Sequence, residues 1–224
     1  MNTKEDNLYL SGEYLPVAEC FYSLQGEGFH TGIAAGFVRL CGCNVHCEFC
    51  DSKTTWDISK CRTMSVKEIA EQVSEYPSEN VVITGGEPLL YNLDPLCKAL
   101  CAKGKKLWLE TSASLPMSGK WDWVCISPKD NCPPLEENLI FADEIKLVIT
   151  RRDDLAKTAF YENKTAFYEN KTAFYFAETG KEIRLSLQAE WSVNKEVIEM
   201  IIDFIKRHPR WTLSLQTHKW LEIR

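Results

Sequence analysis

The sequence is short of several things, and each shortage removes a class of function. Cations are in deficit, 26 Lys and Arg against 32 Asp and Glu, for a formal net charge of −6. A nucleic-acid surface needs an excess of cations to displace condensed counterions, so no nucleic-acid partner is expected. No apolar run reaches the ~18 residues of a bilayer span, so no membrane association is expected. The opening MNTKEDNLYLSGEYLPVAEC lacks the apolar stretch behind a basic one that marks an export signal. A cytoplasmic setting is therefore expected. In that reducing setting clustered cysteines read as metal ligands or catalysts before disulfides. The sequons at Asn163 and Asn170 read as chance matches there, because glycosylation needs secretion.

What remains suits one globular domain. The 224 residues, 45% hydrophobic and 26% charged, are enough to bury a core without staples. Seven runs have the apolar, β-rich character of strands covered on both faces: 37–41, 81–84, 107–111, 124–127, 144–149, 183–188 and 212–216. Helical patterns lie between several of them. Ser65-Val66-Lys67-Glu68 is a capping box ahead of Ile69, Ala70 and Val73. Leu93, Leu96, Cys97, Leu100 and Cys101 make a second stripe. Asn194 caps a third, which carries Val197, Ile198, Ile201, Ile202 and Ile205. Strands alternating with helices imply a parallel sheet. A closed eight-fold barrel takes about 250 residues. The expectation is an α/β fold, a partial (incomplete) TIM-like barrel of about six parallel strands with outer helices, spanning 1–224 as a single domain.

One segment departs from this order. Residues 157–176 read KTAFYEN, KTAFYEN, KTAFYF, a seven-residue unit repeated and then truncated, placed where a crossover helix belongs. Ala, Phe and Tyr are consecutive, so they fan round more than half of a helix instead of forming a seam. A duplication carried on a surface helix is one reading, and a helix that packs on a partner chain is the other.

The strand ends are the functional signal. Six of the seven runs finish in polar or special residues: Cys43, TGGEP, ETS, SPK, Gln188 and QTH. Sites in parallel α/β folds gather at the carboxyl ends of strands, so these endings ring a common pocket. In the first run Phe37, Arg39, Cys41 and Cys43 share a face. Arg39 then points into the barrel beneath Cys43. The stretch GCNVHCEFCDS holds Cys43, Cys47 and Cys50 in C-x3-C-x2-C spacing. A structural zinc site wants four ligands, with His46 as a cramped fourth. A four-iron cluster on three thiolates leaves one iron open to a chelating ligand. The spacing favours the cluster and leaves zinc as the alternative.

The cysteine spacing, with Phe49 before the last cysteine and TGGEP at 84–88, resembles the radical S-adenosylmethionine superfamily. Within it the chain is similar to a narrower family, the 7-carboxy-7-deazaguanine synthases. FYSLQGEG, FVRLCGC, CDSKTTWD, VVITGGEPL, ETS, ISPK, DEIKLVI, SLQ and SLQTHKWLEIR carry that resemblance over almost the whole chain. It implies a lyase that converts 6-carboxy-5,6,7,8-tetrahydropterin to 7-carboxy-7-deazaguanine with loss of ammonia, on the route to queuosine. It implies a partial barrel in a homodimer, a 4Fe-4S cluster, S-adenosyl-L-methionine and Mg²⁺, and a flavodoxin or ferredoxin as reductant.

Carried onto this sequence, the resemblance implies that Cys43, Cys47 and Cys50 bind the cluster and that the Ser52 hydroxyl ligates Mg²⁺. Leu24, Gln25, Gly26, Glu27, Arg39, Thr84, His218 and Arg224 would hold the pterin. Phe49, Gly85, Gly86, Glu87, Ser112, Ser127, Pro128, Lys129 and Gln188 would contact S-adenosylmethionine, with Glu87 meeting the methionine ammonium. No side chain is expected to do acid–base work as its main role, since the cofactor carries the hard chemistry. Cys41 is an addition to the pattern, expected as a small buried filler or a competing ligand. Cys20, Cys61, Cys97, Cys101, Cys125 and Cys132 are expected as bystanders. Two other readings stand beside this one, an activase for a glycyl-radical protein and a zinc-stapled binding module.

Overall fold

The computed structural model describes residues 9–171 and 182–224. Its strands are β1 (Tyr14–Leu24), β2 (Ala34–Leu40), β3 (Arg62–Ser65), β4 (Asn80–Gly85), β5 (Lys106–Thr111), β6 (Trp123–Ile126), β7 (Glu144–Ile149), β8 (Arg184–Ala189) and β9 (Trp211–Ser214). The helices are α1 (Val66–Ser74), α2 (Asp94–Cys101), α3 (Lys157–Lys171), α4 (Asn194–Arg207) and the short α5 (Thr217–Trp220). The sheet order is β3-β1-β2-β4-β5-β6-β7-β8-β9, with β3 and β9 at its open edges. From β2 through β4 to β9 every pairing is parallel. β1 runs antiparallel to both β2 and β3.

All seven sequence-predicted runs are strands. β1 and β3 were not legible as strands. β1 contains Pro16, which argues against a sheet interior, and its pairing slips between Val17 and Glu19. β3 has only four residues, two of them exposed. α1 starts on the expected reciprocal cap, Ser65 accepting from the Glu68 N–H while Glu68 accepts from Ser65. Such a cap contributes about 1 kcal/mol. Leu96, Cys97 and Leu100 of α2 are buried as expected, but Cys101 lies exposed on the other side. α4 begins at Asn194, so the cap falls on Val193 instead.

The two faces of each central strand go to different places. Val38, Leu40, Val81, Ile83, Leu107 and Leu109 pack outward against the helices. Phe37, Val82 and Trp108 pack inward with Phe21, and Phe21 stacks on Phe37 at 4.8 Å between ring centroids. Two residues further along the same inward face come Arg39, Thr84 and Glu110, because side chains repeat every second residue. The barrel therefore has an aromatic floor and, above it toward the strand carboxyl ends, a polar layer.

The third copy of the repeat falls at 171–176 and lies mostly outside the described residues. Within α3 the two described copies seat alike. Thr158 and Tyr161, then Thr165 and Tyr168, are buried.

Candidate active site

The three motif cysteines sit on the loop that leaves β2. Gly42 starts it with φ of +88°, a backbone that a side chain would strain. All three thiols are free and line one cavity. Burial pushes the Cys47 thiol up, Lys129 opposes this, and Cys50 and Cys43 add to the rise. Among the described residues no three His, Cys, Asp or Glu side chains close in tightly enough to hold one ion. His46 instead packs against Trp56, 4.7 Å between ring centroids. Three soft thiols spread round a shared cavity suit a body larger than a single zinc ion, and the residues present fit a cluster.

The same cavity is lined by Phe49, Gly85, Gly86, Glu87, Ser112, Ser127, Lys129 and Gln188. Pro128 lines a neighbouring cavity outside the loop, with Cys47, Phe49 and Lys129. Gly86 has a structural reason to be glycine, since a Cβ there would lie 1.9 Å from the Gly42 carbonyl oxygen. The close approach is thus to the chain's own backbone, where the Glu87 N–H donates to that carbonyl at 2.8 Å. The Glu87 carboxylate is 1% exposed and already accepts four hydrogen bonds. They come from the Leu89 N–H (3.0 Å), the Thr111 hydroxyl (2.5 Å), the Ser112 N–H (2.8 Å) and the Ser112 hydroxyl (2.5 Å). These fill the lone pairs of an ionised carboxylate. Glu87 therefore acts here as a strut that fixes Thr111 and Ser112 against the loop. Lys129 donates to the Ser127 carbonyl and hydroxyl at 2.6 and 2.7 Å.

A second cavity adjoins the first. Its lining includes Leu24, Gln25, Gly26, Glu27, Arg39, Ser52, Thr84, His218 and Arg224. Phe21, Phe37 and Val82 form its apolar floor, and Glu27, Cys50, Asp51, Thr84, Gly85 and Glu110 line both cavities. Arg39 is pinned through Nε to Glu19 at 2.9 Å, while its Nη1 reaches the Ser52 hydroxyl at 3.4 Å. Arg224 comes in beside it, 3.3 Å from Glu19.

Charge in this layer is organised by a residue the sequence reading did not single out. Lys146, 3% exposed, lies 2.8 Å from Glu27 and 3.0 Å from Glu110. Burial alone would raise the Glu27 carboxyl, but Lys146 and hydrogen bonds from Lys146, Gln216 and Gln188 bring it down to about 2. Glu110 shares the lysine yet moves the other way: burial raises it, and Glu27 and Glu144 add to the rise. Burial would lower Lys146, but Cys125, Glu110, Glu27 and Glu144 reverse that and hold it as an ammonium. Burial keeps His218 below the usual imidazole range, against a smaller upward pull from Glu27. The layer thus presents a fixed anion at Glu27, a neutral imidazole at His218 and a guanidinium at Arg39. The available signal for Lys146 was a cation flanked by Ile145 and Leu147 inside the buried strand EIKLVI, two residues after Glu144.

Cys41 is buried as expected of a filler, but it is not a free thiol or a ligand. Strand alternation ends at Leu40, and Cys41 turns away from the thiol cavity into a disulfide with Cys61, Cα to Cα 6.5 Å. Cys61 is thereby not the bystander expected, and the bridge ties the end of β2 to the segment after the cluster loop.

Residues 38–127 match the Radical SAM superfamily. A curated 7-carboxy-7-deazaguanine synthase of Flavobacterium psychrophilum is 38% identical over 224 residues, covering the whole of both chains. The chain belongs to the 7-carboxy-7-deazaguanine synthase family. A member from a Synechocystis species is 40% identical over 209 residues, 93% of each chain. The crystal structure of QueE from Escherichia coli superposes with a TM-score of 0.75 at 29% identity, covering 96% of this chain and 99% of that one. Members are radical S-adenosylmethionine enzymes acting on a small molecule, and the superfamily implies the 4Fe-4S cluster and S-adenosylmethionine. Among the described residues no helix is long and apolar enough to cross a membrane.

Proposed function

We propose that this chain converts 6-carboxy-5,6,7,8-tetrahydropterin to 7-carboxy-7-deazaguanine with loss of ammonia, as a cytoplasmic homodimer supplied with electrons by a flavodoxin or ferredoxin. The observation that carries the reading is the pair of adjoining cavities, one ringed by three free thiols and the other by Glu27, Arg39 and His218 over an aromatic floor. Homodimer and electron carrier are taken from the family.

The chemistry supplied by the bound cluster and S-adenosylmethionine is a 5′-deoxyadenosyl radical able to take a hydrogen atom from the pterin. The chain's own residues bind, orient and exclude water. Cys43, Cys47 and Cys50 hold the cluster. Ser112, Ser127, Lys129 and Gln188 hold the sulfonium nucleoside, with Glu87 fixing Ser112. Glu27, kept anionic by Lys146, accepts from the pterin's N–H groups, and Gln25 both donates and accepts. The Arg39 guanidinium takes the carboxylate, and the Ser52 hydroxyl would hold a Mg²⁺, an ion that suits hard oxygen donors such as that carboxylate. Asp51, whose oxygen Oδ1 accepts from the Ser52 hydroxyl at 3.1 Å, orients that hydroxyl.

The test is an anaerobic incubation of reconstituted protein with the carboxytetrahydropterin, S-adenosylmethionine, Mg²⁺ and reductant. The deazaguanine product is expected, at a lower rate when Mg²⁺ is omitted. Brown protein with a full iron complement that yields none would overturn the reading.

A further inference from the structure

The two cavities are joined by a continuous polar chain along their shared rim. The Arg39 Nη1 group reaches the Ser52 hydroxyl at 3.4 Å, and that hydroxyl donates to Asp51 Oδ1 at 3.1 Å. The other Asp51 oxygen pairs with the Lys219 ammonium at 2.8 Å. Lys219 also donates to the Gln216 side-chain carbonyl at 3.2 Å, and the Gln216 amide donates to Glu27 at 2.7 Å. The chain therefore runs from Arg39 to Glu27 by way of Asp51, which stands between Cys50 and Ser52 and also accepts from the Gln216 amide, at a longer 3.4 Å. The backbone reinforces it, since Thr217 donates to the Gly26 carbonyl from both its N–H at 2.9 Å and its hydroxyl at 3.1 Å. Helix α5 is thus fastened to the loop after β1 on one side and to the cluster loop on the other.

Among the described residues Lys219 is the only cation paired with Asp51; its side chain is 20% exposed, with Nζ 5.5 Å from the Trp191 ring centroid. An ammonium half shielded by an indole face and paired with a carboxylate is held more firmly than a solvated surface lysine. A rigid element touching two sites lets each bias the other, and such coupling is reciprocal in binding free energy. We propose that Lys219 is a positioning residue that couples the two cavities: it holds Asp51, and with it Cys50 and Ser52, in register with Glu27, so that pterin and S-adenosylmethionine bind cooperatively. This rests on the function proposed above. It assigns the lysine of QTHK, which lines the first cavity, a positioning role read from the coupling and not from S-adenosylmethionine affinity alone.

The experiment measures binding without turnover. With the cluster reconstituted and kept oxidised, S-adenosylmethionine affinity is measured by anaerobic equilibrium dialysis, with and without saturating 6-carboxytetrahydropterin. The ratio of the two dissociation constants is the coupling factor. The unaltered protein is expected to show at least about tenfold coupling, within the usual range for linked sites. Lys219→Met should bring it below about twofold, and Lys219→Arg should keep most of it. Iron per chain and the thermal midpoint identify a variant that has merely misfolded. In that event Asp51→Asn, which breaks the same pair from the other side, should give the same loss. A Lys219→Met protein with full iron and undiminished coupling overturns the proposal, as does an unaltered protein that binds both ligands independently. Failure of the unaltered protein to bind the pterin or form product would instead overturn the function itself.

Discussion

The polar layer of the barrel and helix α3 bury polar side chains on opposite terms. In the barrel Lys146, 3% exposed, stands between Glu27 and Glu110, and among the described residues no second cation lies within hydrogen-bond reach of both. In α3 the same contact is made twice. Thr158 and Thr165 are 4% and 3% exposed, Tyr161 and Tyr168 8% and 7%, and Phe160 and Phe167 both 53%. Seven residues are nearly two full turns, so a unit of seven lands on the same face after only ~20° of drift. That is why a heptad can be duplicated without changing what is buried. The difference is one between a network that fails when any member is lost and a helix face whose members are redundant.

The largest effect expected from this comparison is at Lys146. Lys146→Met leaves two buried carboxyls without their counter-charge, and removing one partner of a buried pair costs about 3–5 kcal/mol. Urea denaturation under anaerobic conditions should show that loss, and pterin binding should weaken with it. A variant as stable as the unaltered protein would mean that Glu27 and Glu110 can share a proton unaided, and the contrast with α3 would collapse.

How far the sequence disclosed these two regions follows from what each depends on. The parallel strands were legible because strands buried on both faces are continuous apolar runs, and the strand endings were legible because they break those runs. Every substrate and cofactor residue read from the motifs lines one of three adjoining cavities. Glu110 and Lys146 were passed over for the converse reason. Each is a charge next to apolar strand residues, Glu110 read only as part of the ending ETS, and its meaning comes from strands far off in the chain. The Cys41–Cys61 bridge was hidden likewise: a spacing of 20 residues says nothing until the fold brings the two together. β1 was masked by its proline. In α3 the fan of Ala, Phe and Tyr argued against a seam. The helix instead buries Thr and Tyr at i and i+3, a face that hydropathy undervalues because both side chains are polar. The Tyr168 hydroxyl, for example, donates to the Glu136 carbonyl at 3.1 Å.

A smaller effect is expected where α3 begins, at a network that the repeat does not duplicate. The Asp154 carboxylate accepts from the Thr150 N–H (2.8 Å), the Thr150 hydroxyl (2.8 Å) and the Arg151 N–H (3.1 Å), and pairs with Lys157 at 2.9 Å. Burial would raise this carboxyl, but the hydrogen bonds from Lys157, Thr150 and Arg151 win and hold it at about 2. A folded value below the unfolded one means that the contribution is complete above about pH 4 and is lost as pH falls toward 2. Asp154→Asn should therefore cost about 2 kcal/mol at neutral pH. The deficit should shrink as the medium is acidified through that window, read from paired thermal or urea melts. A deficit independent of pH would place the effect in packing and not in the charge.

The smallest effect is expected at Phe160, and it tests whether α3 has any use beyond covering the sheet. Phe160 is 53% exposed; its ring lies 5.7 Å from the Lys164 ammonium and 5.0 Å from the Tyr161 ring centroid. Nothing in these contacts is buried enough to matter. Phe160→Ser should stay within about 0.5 kcal/mol of the unaltered protein and leave product formation unchanged. Sedimentation should then give the same assembly mass for both proteins. A lighter species for the variant would mean that the exposed phenylalanine of the repeat packs on a partner chain. Redundancy would then serve assembly instead of merely being tolerated, because each added copy would extend the same contact by seven residues.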